Sequence, residues 1–163
     1  MKYTVQLCLL TDQFLQDYPS SCFPELLLKQ KRPYVSLLLE MHDYFICIPF
    51  RTSIKHENAF LFKTSRRSQK NHSGLDYSKL VIIRDKRYID LKTKVVVDHD
   101  EYVETLQNLP KIINEVGDYI RDYMNHIQGI HLMNSLEFNR KYQYSTLPYF
   151  LNILNCYFSS PLP

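Results

Sequence analysis

The sequence YVSLLLEMHDYFICIPF, residues 34–50, contains two apolar runs that are separated only by His42 and Asp43. Short runs rich in aliphatic and aromatic side chains, bounded by polar residues, are typical of β-strands. Aspartate fits a tight turn between two such runs. Residues 34–41 and 44–50 are therefore expected to pair as an antiparallel hairpin.

Further short strands are predicted on both sides of this hairpin. They are expected at residues 2–9, 59–63, 80–83, 87–90 and 94–98. The polar and basic segment TSRRSQKNHS, residues 64–73, has no apolar anchor and is predicted to be an exposed loop or flap. Residues 34–97 as a whole predict an antiparallel sheet with short connections.

After Asp98 the apolar residues change from strand spacing to helical spacing. Pro110 is expected to break or bend this helical segment, residues 99–128. Shorter helices are expected at residues 12–18, at residues 25–30 and from Ser135 onward, and a last apolar piece, residues 147–158, is expected to pack on the core. These features predict a single α+β domain over residues 1–163, with helices grouped late in the chain and an antiparallel sheet of about six strands.

The composition is that of a globular protein of one-domain length. The chain has 163 residues, of which 45% are hydrophobic and 23% charged, so it can bury a core without disulfides or metals. No apolar run reaches the about 18 residues that a membrane-spanning helix needs, and no membrane contact is expected. The cysteines Cys8, Cys22, Cys47 and Cys156 have neither metal-site nor disulfide-framework spacing, which favours a reducing, cytoplasmic setting.

The net charge of +3 hides a basic middle between acidic ends. Residues 29–94 carry 15 Lys or Arg and six Asp or Glu, which is a net charge of +9. Such an asymmetry suggests a surface that faces an anion, and nucleic acid is the commonest large anion. The alternative is that these charges only solvate exposed strands and loops.

The segment PFRTSIKHEN, residues 49–58, lies at the end of a predicted strand and has the densest group of side chains that could bind or react with a substrate. Its candidate site residues are Arg51, Thr52, Ser53, Lys55 and His56. Hydroxyls and backbone N–H groups donate to phosphate oxygens, and arginine can bind two of those oxygens at once. A strand end also offers a rigid base for such groups.

RNA can be cleaved without a cofactor when its own 2′-hydroxyl attacks the phosphate. Lys55 can act as the base of that reaction if Arg51 and partial burial favour its neutral form. His56 can act as an acid or a base near neutrality, and Thr52 with Ser53 can bind the scissile phosphate. In the alternative, Thr52 and Ser53 only turn the chain and Lys55 is solvated, and the spacing leaves both open.

Two further basic clusters flank this segment in the sequence. Lys31 and Arg32 lead directly into the first strand of the hairpin, so antiparallel pairing is expected to bring Arg32 beside Thr52. The motif GLDYSK, residues 74–79, places Lys79 just before a strand, although a turn closed by an aspartate side chain is the more ordinary role of such a motif.

Metal-dependent chemistry fits the sequence less well. The six histidines show no HExxH motif and no close pair at helical spacing. The acidic residues Asp98, Asp100, Glu101 and Glu104 are expected to favour a helix N-terminus rather than to bind a cation. No metal and no other cofactor is expected.

Three motifs resemble the endoribonuclease toxins of type III toxin–antitoxin systems, the ToxN, AbiQ, CptN and TenpN groups, with CptN and TenpN nearest. They are KRPYVSLLLEM at residues 31–41, FICIPFRTSIKH at residues 45–56 and GLDYSKLVII at residues 74–83. The resemblance covers residues 30–90 well and the two ends only in outline.

The resemblance implies a compact, strongly twisted antiparallel sheet surrounded by helices, similar to the Kid and MazF toxins. It implies a sequence-selective, metal-independent cut in cellular or phage RNA that leaves a 2′,3′-cyclic phosphate, as part of phage defence by abortive infection. Lys55 would activate the 2′-hydroxyl, Thr52 with Ser53 would hold the phosphate, and the family's basic residue at the start of the second strand falls on Arg32. His56 matches only some groups.

The resemblance also implies a partner. A small repetitive RNA antitoxin, usually a pseudoknot, would be processed by the toxin and would inhibit it in a ring-like toxin–RNA assembly, with no protein antitoxin. The RNA would lie against a basic surface. The residues expected to bind it are Lys31, Arg32, Arg51, Arg66, Arg67, Lys70 and Lys79.

Two other functions remain open from the sequence. A non-catalytic RNA-binding protein would use the same basic surface. A MazF-type ribonuclease toxin would be inhibited by a protein and would need a groove for an acidic peptide.

Overall fold

The computed structural model describes residues 5–26 and 35–158. Within these ranges the chain forms an α+β fold with one open antiparallel sheet and six α-helices, which confirms the predicted class. The strands are β1 (Gln6–Leu10), β2 (Ser36–Glu40), β3 (Phe45–Arg51), β4 (Ala59–Leu61), β5 (Gly74–Asp76), β6 (Val81–Ile83) and β7 (Ile89–Asp90). The helices are α1 (Asp12–Asp17), α2 (Arg66–Asn71), α3 (His99–Gln107), α4 (Leu109–Ile127), α5 (Ser135–Tyr142) and α6 (Leu151–Phe158).

The predicted hairpin forms the centre of the sheet. β2 and β3 pair antiparallel with Leu38 opposite Cys47 and Ser36 opposite Pro49. The sheet order is β4-β5-β3-β2-β1-β7, and β6 also pairs with β3. β3 therefore has β2 on one side and both β5 and β6 on the other, so its carboxyl end, where the candidate segment begins, is held by neighbouring strands.

The helices complete a single apolar core with the sheet. Ile112, Val116, Ile120 and Met124 recur at intervals of four residues on α4 and are buried in the same cluster as Ile48 of β3. Each fully buried aliphatic side chain contributes about 1.5–3 kcal/mol relative to an exposed one. As predicted, the segment around Pro110 divides into two helices, because proline is tolerated in the first turn of α4 but not inside a continuous helix.

Two sequence predictions are wrong. Residues 64–73 contain helix α2 rather than an exposed loop, because their anchor is a polar residue: Ser68 is buried and its hydroxyl donates to Glu101 Oε1 at 2.8 Å. Residues 94–98 form no strand, Val96 is 80% exposed, and Asp98 instead caps α3. The valines there have high strand propensity, but none of the described strands pairs with them.

Some expectations lie outside the described residues. They concern the first residues of the predicted strand 2–9 and most of the predicted helix 25–30. Among the residues that are described, no helix combines the length and the apolar character needed to cross a bilayer.

A substitution at Gly74 tests how closely β4 and β5 pack beside the end of β3. Gly74 lies in β5 opposite Arg51, and an added Cβ would stand 2.3 Å from the Phe60 carbonyl oxygen of the next strand. Gly74→Ala is therefore expected to lower the free energy of unfolding by about 2 kcal/mol or more, as overpacking does. Gly117→Ala is the matched control, because no atom lies within 4 Å of its Cβ position and alanine stabilises a helix by about 0.5–1 kcal/mol.

Urea denaturation of the three proteins measures both effects. Equal midpoints for Gly74→Ala and wild type would show that β4 and β5 do not approach as closely as described.

Candidate active site

The segment that follows β3 is held by backbone bonds to the end of α2. The Ser53 N–H donates to the Asn71 carbonyl at 2.8 Å, and the Ile54 N–H donates to the His72 carbonyl at 3.1 Å. Ser53 (φ 58°) and His72 (φ 48°) both have left-handed backbone conformations. Such a conformation costs a non-glycine residue about 1–2 kcal/mol, and strained residues of this kind cluster at functional sites.

One apolar residue fixes the orientation of this segment. Ile54, in the middle of the segment, is only 4% exposed. The three neighbouring residues predicted to act on RNA, Thr52, Ser53 and Lys55, are exposed. The burial of Ile54 therefore leaves two hydroxyls and one ammonium group accessible to a ligand.

A buried carboxylate holds both ends of the segment. Asp76 is fully buried; its Oδ2 lies 2.5 Å from Arg51 Nη1, and its Oδ1 lies 3.3 Å from His56 Nε2. The Ser78 hydroxyl and backbone N–H also donate to Oδ1, at 2.7 and 2.9 Å. Since Arg51 precedes and His56 follows residues 52–55, one carboxylate fixes both ends of the candidate catalytic loop.

Its hydrogen bonds keep this carboxylate ionised. Burial by itself raises the pKa of Asp76, but hydrogen bonds from His56 and Ser78, together with the charges of His56 and Arg51, outweigh burial and lower that pKa below its usual value. A group whose pKa falls on folding stabilises the fold above its ordinary pKa and loses that contribution as the pH falls through the lowered value.

His56 is oriented towards the protein rather than towards a ligand. Its Nε2 contacts Asp76 and lies 3.4 Å from the Ser78 hydroxyl. Its Nδ1 is buried and has no hydrogen-bond partner among the described residues. This geometry suits a positioning residue.

Lys55 does not have the surroundings that the sequence suggested. It is exposed, and the Arg51 charge that was expected to act on it is paired with Asp76. The partial burial that the sequence suggested for Lys55 is therefore absent, and the Asp76 carboxylate offsets the charge of the neighbouring Arg51.

The loop borders a cavity of about 520 Å³, which lies within the usual range of small-molecule sites. Its walls come from the segment after β3, from β4 and from the end of α2. The lining residues are Ser53, Ile54, Lys55, His56, Glu57, Leu61, Lys70, Asn71 and His72. A second cavity, of about 490 Å³, is lined by Asp17 and mainly aromatic or apolar residues without any cation, so it is less suited to a polyanion.

The expected RNA-binding residues are only partly brought together. Arg66, Arg67 and Lys70 are exposed on α2, and Lys70 also lines the cavity. Arg67 is additionally bound to Asp98, with 3.0 Å between Nη1 and Oδ2. α2 therefore presents a basic surface beside the cavity.

Lys79 does not share this surface. It is 6% exposed, and its Nζ lies 2.5 Å from Glu25 Oε2 and 2.7 Å from the Tyr144 carbonyl. Lys31 and Arg32 lie outside the described residues, as does the expected contact between Arg32 and Thr52.

Sequence reasoning missed Asp76 and His72 as parts of the site. The Asp76 side chain accepts from the Ser78 N–H, which confirms the predicted aspartate turn in GLDYSK. No pattern in the sequence indicates that β5 returns beside Arg51 and buries this carboxylate there. His72 lay in a segment predicted to be a loop.

No protein family model, curated protein or solved structure matches this sequence at a significant level. In residues 5–26 and 35–158, no group of three or more His, Cys, Asp or Glu is placed to hold a metal ion.

Asp76→Asn tests the buried carboxylate. Removing one partner of a buried ion pair costs about 3–5 kcal/mol, and we expect about 3 kcal/mol here because Arg51 is partly exposed. The difference from wild type should stay constant above about pH 5 and shrink as the pH falls below about 4, since protonation removes the same charge from the wild type.

Denaturant unfolding between about pH 7 and pH 3 measures this difference. Asp118→Asn is the control, because Asp118 forms an exposed pair with Arg121 that is worth less than about 1 kcal/mol. A difference for Asp76→Asn that does not change with pH would contradict the role given to its charge.

Proposed function

We propose that this protein is a metal-independent endoribonuclease whose active site is the cavity at the end of β3. The main support is that Ser53 and Lys55, on a loop that the buried Asp76 fixes at both ends, line a single cavity together with Lys70 of α2. Hydroxyls and cations on a rigid base are the groups that bind a phosphodiester and stabilise charge that develops on it.

The proposed reaction uses the RNA 2′-hydroxyl as the nucleophile. Thr52 and Ser53 donate hydrogen bonds to the non-bridging oxygens of the scissile phosphate, and Lys70 attracts the backbone. Lys55 accepts the proton of the 2′-hydroxyl, and its charged form then stabilises the pentacovalent phosphorus. Cleavage of the bond to the 5′-oxygen leaves a 2′,3′-cyclic phosphate.

The motif resemblance supports a finer proposal. We propose that the protein is the toxin of a type III toxin–antitoxin system, acts in the cytoplasm on cellular or phage RNA, and has a twisted sheet related to those of Kid and MazF. Its inhibitor would be a small repetitive RNA held in a ring-like toxin–RNA assembly. The basic surface of α2 next to the cavity supports this, because a single groove can then grip both antitoxin and target RNA.

Cleavage of a labelled RNA in excess EDTA tests the activity. Lys55→Ala is expected to lower the cleavage rate about 100-fold or more, because it removes a proton-transfer group. Thr52→Ala is expected to lower the rate about 10-fold or more, because it removes one of several phosphate donors. Wild-type products should carry 2′,3′-cyclic phosphate ends.

Lys92→Ala is the control. Lys92 is exposed just after β7, which lies at the opposite edge of the sheet from β4. The cleavage rate of the Lys92→Ala variant should match that of the wild type. Binding without cleavage across several RNAs would contradict the enzymatic function and favour an RNA-binding protein. Full activity of both site variants would place the active site elsewhere.

Expression in cells tests the regulatory part. The wild-type protein should arrest growth, and co-expression of a short tandem-repeat RNA from its gene neighbourhood should restore it. Rescue that requires a neighbouring protein instead of an RNA would contradict the type III assignment and favour a MazF-type system.

A further inference from the structure

At His72 only the backbone has a structural role, and the side chain has none. It ends α2 with φ 48° and ψ 50°, the left-handed conformation that glycine or asparagine usually provides at a helix end. Its N–H donates to the Gln69 carbonyl at 3.3 Å, and its own carbonyl accepts from the Ile54 N–H. These bonds use only backbone atoms, so the helix end does not explain the imidazole.

The imidazole of His72 is free for another task. It lines the same cavity as Ser53 and Lys55, and no hydrogen bond of this side chain occurs within the described part of the chain. The bonds from Ser53 and Ile54 to the end of α2 fix the His72 backbone relative to the catalytic loop. The position is therefore both exposed to a ligand and rigidly placed.

The other histidine of the cavity has the opposite arrangement. Both nitrogens of His56 face the protein, with Nε2 on Asp76 and Nδ1 buried. His72 is thus the histidine of this cavity that is exposed and bonded to no described side chain, whereas His56 is held by Asp76 and its unpartnered Nδ1 is buried. Histidine is also the side chain whose ordinary pKa lies nearest neutrality, as a proton donor to a leaving group requires.

We propose that His72 is the general acid of the RNA cleavage proposed above, on which this inference rests. As the 2′-oxygen forms its bond to phosphorus, Lys55 takes the 2′-hydroxyl proton. As the bond from phosphorus to the 5′-oxygen breaks, the His72 imidazolium gives its proton to that oxygen. One proton is taken and one is given, so the step needs no further reactant.

The other titratable groups of the cavity are two cations, a carboxylate and the positioning histidine. These are Lys55, Lys70, Glu57 and His56. The bound phosphate would stand between the two cations and the imidazolium and so offset their repulsion.

His72→Asn separates catalysis from folding, because asparagine tolerates the left-handed conformation better than histidine does. The variant should unfold at the same temperature as the wild type or higher, while its cleavage rate falls about 100- to 1,000-fold, as expected for a lost acid. His72→Gly, which also fits this backbone, should behave in the same way. His42→Asn is the control: this exposed histidine lies in the turn that precedes β3, at the opposite end of the strand from residues 52–55, and its variant should keep the wild-type rate.

A substrate with sulfur in place of the scissile 5′-oxygen identifies the missing step. Sulfur leaves without protonation, so His72→Asn should cleave this RNA at the wild-type rate, whereas a variant with a distorted site would remain slow. Cleavage of ordinary RNA by His72→Asn within about threefold of wild type, or no rescue by the sulfur substrate, would overturn the assignment of His72 as the acid. A wild-type protein that cleaves no RNA would instead overturn the proposed function.

Discussion

The ion pair between Arg51 and the buried Asp76 is the interaction on which the rest of the site depends. It joins the last residue of β3 to the last residue of β5, and the same carboxylate also holds His56. Burying a carboxylate is costly unless cations and hydrogen-bond donors surround it. Arg51, His56 and Ser78 surround the Asp76 carboxylate, and their charges and hydrogen bonds offset the cost of burying it. The same contacts fix the geometry at the end of β3.

This geometry determines what the exposed residues can do. Both ends of residues 52–55 are anchored and Ile54 is buried between them, so Thr52 and Ser53 are exposed on a loop that the fold holds in place. The two left-handed residues, Ser53 and His72, lie in the two segments whose backbones bond to each other at the cavity wall. The surrounding fold compensates the backbone strain at these two residues and holds the loop in one conformation. Such preorganisation is what catalysis by positioning and charge stabilisation requires.

The sequence predicted those features that follow from local apolar patterns. The β2–β3 hairpin, the helix capped by Thr11 and the division of the helical segment at Pro110 all have strong local signals. Helix α2 was missed because its anchor is the hydroxyl of Ser68, which bonds to a glutamate 33 residues away. A pattern of apolar residues cannot reveal such an anchor.

The site was predictable only as a segment. Residues 52–56 stood out by their chemistry, but the role of Asp76 depends on the return of β5 beside β3, with Gly74 opposite Arg51. This pairing of Arg51 with Gly74 joins residues 23 positions apart and has no local signature. The same return of the chain makes His72 a wall of the cavity and turns both nitrogens of His56 inward, so the choice between the two histidines required the structure.

The proposed function requires that a phosphodiester bind in the cavity between residues 53–57 and 70–72. The most direct test is a titration of the ¹⁵N-labelled protein with a short RNA that carries 2′-O-methyl groups and so cannot be cleaved. The largest changes in amide chemical shift are expected at Ser53, Lys55, Lys70 and His72. Changes confined to the aromatic cavity around Tyr18 and Tyr149, with none in residues 53–57 and 70–72, would contradict the claim.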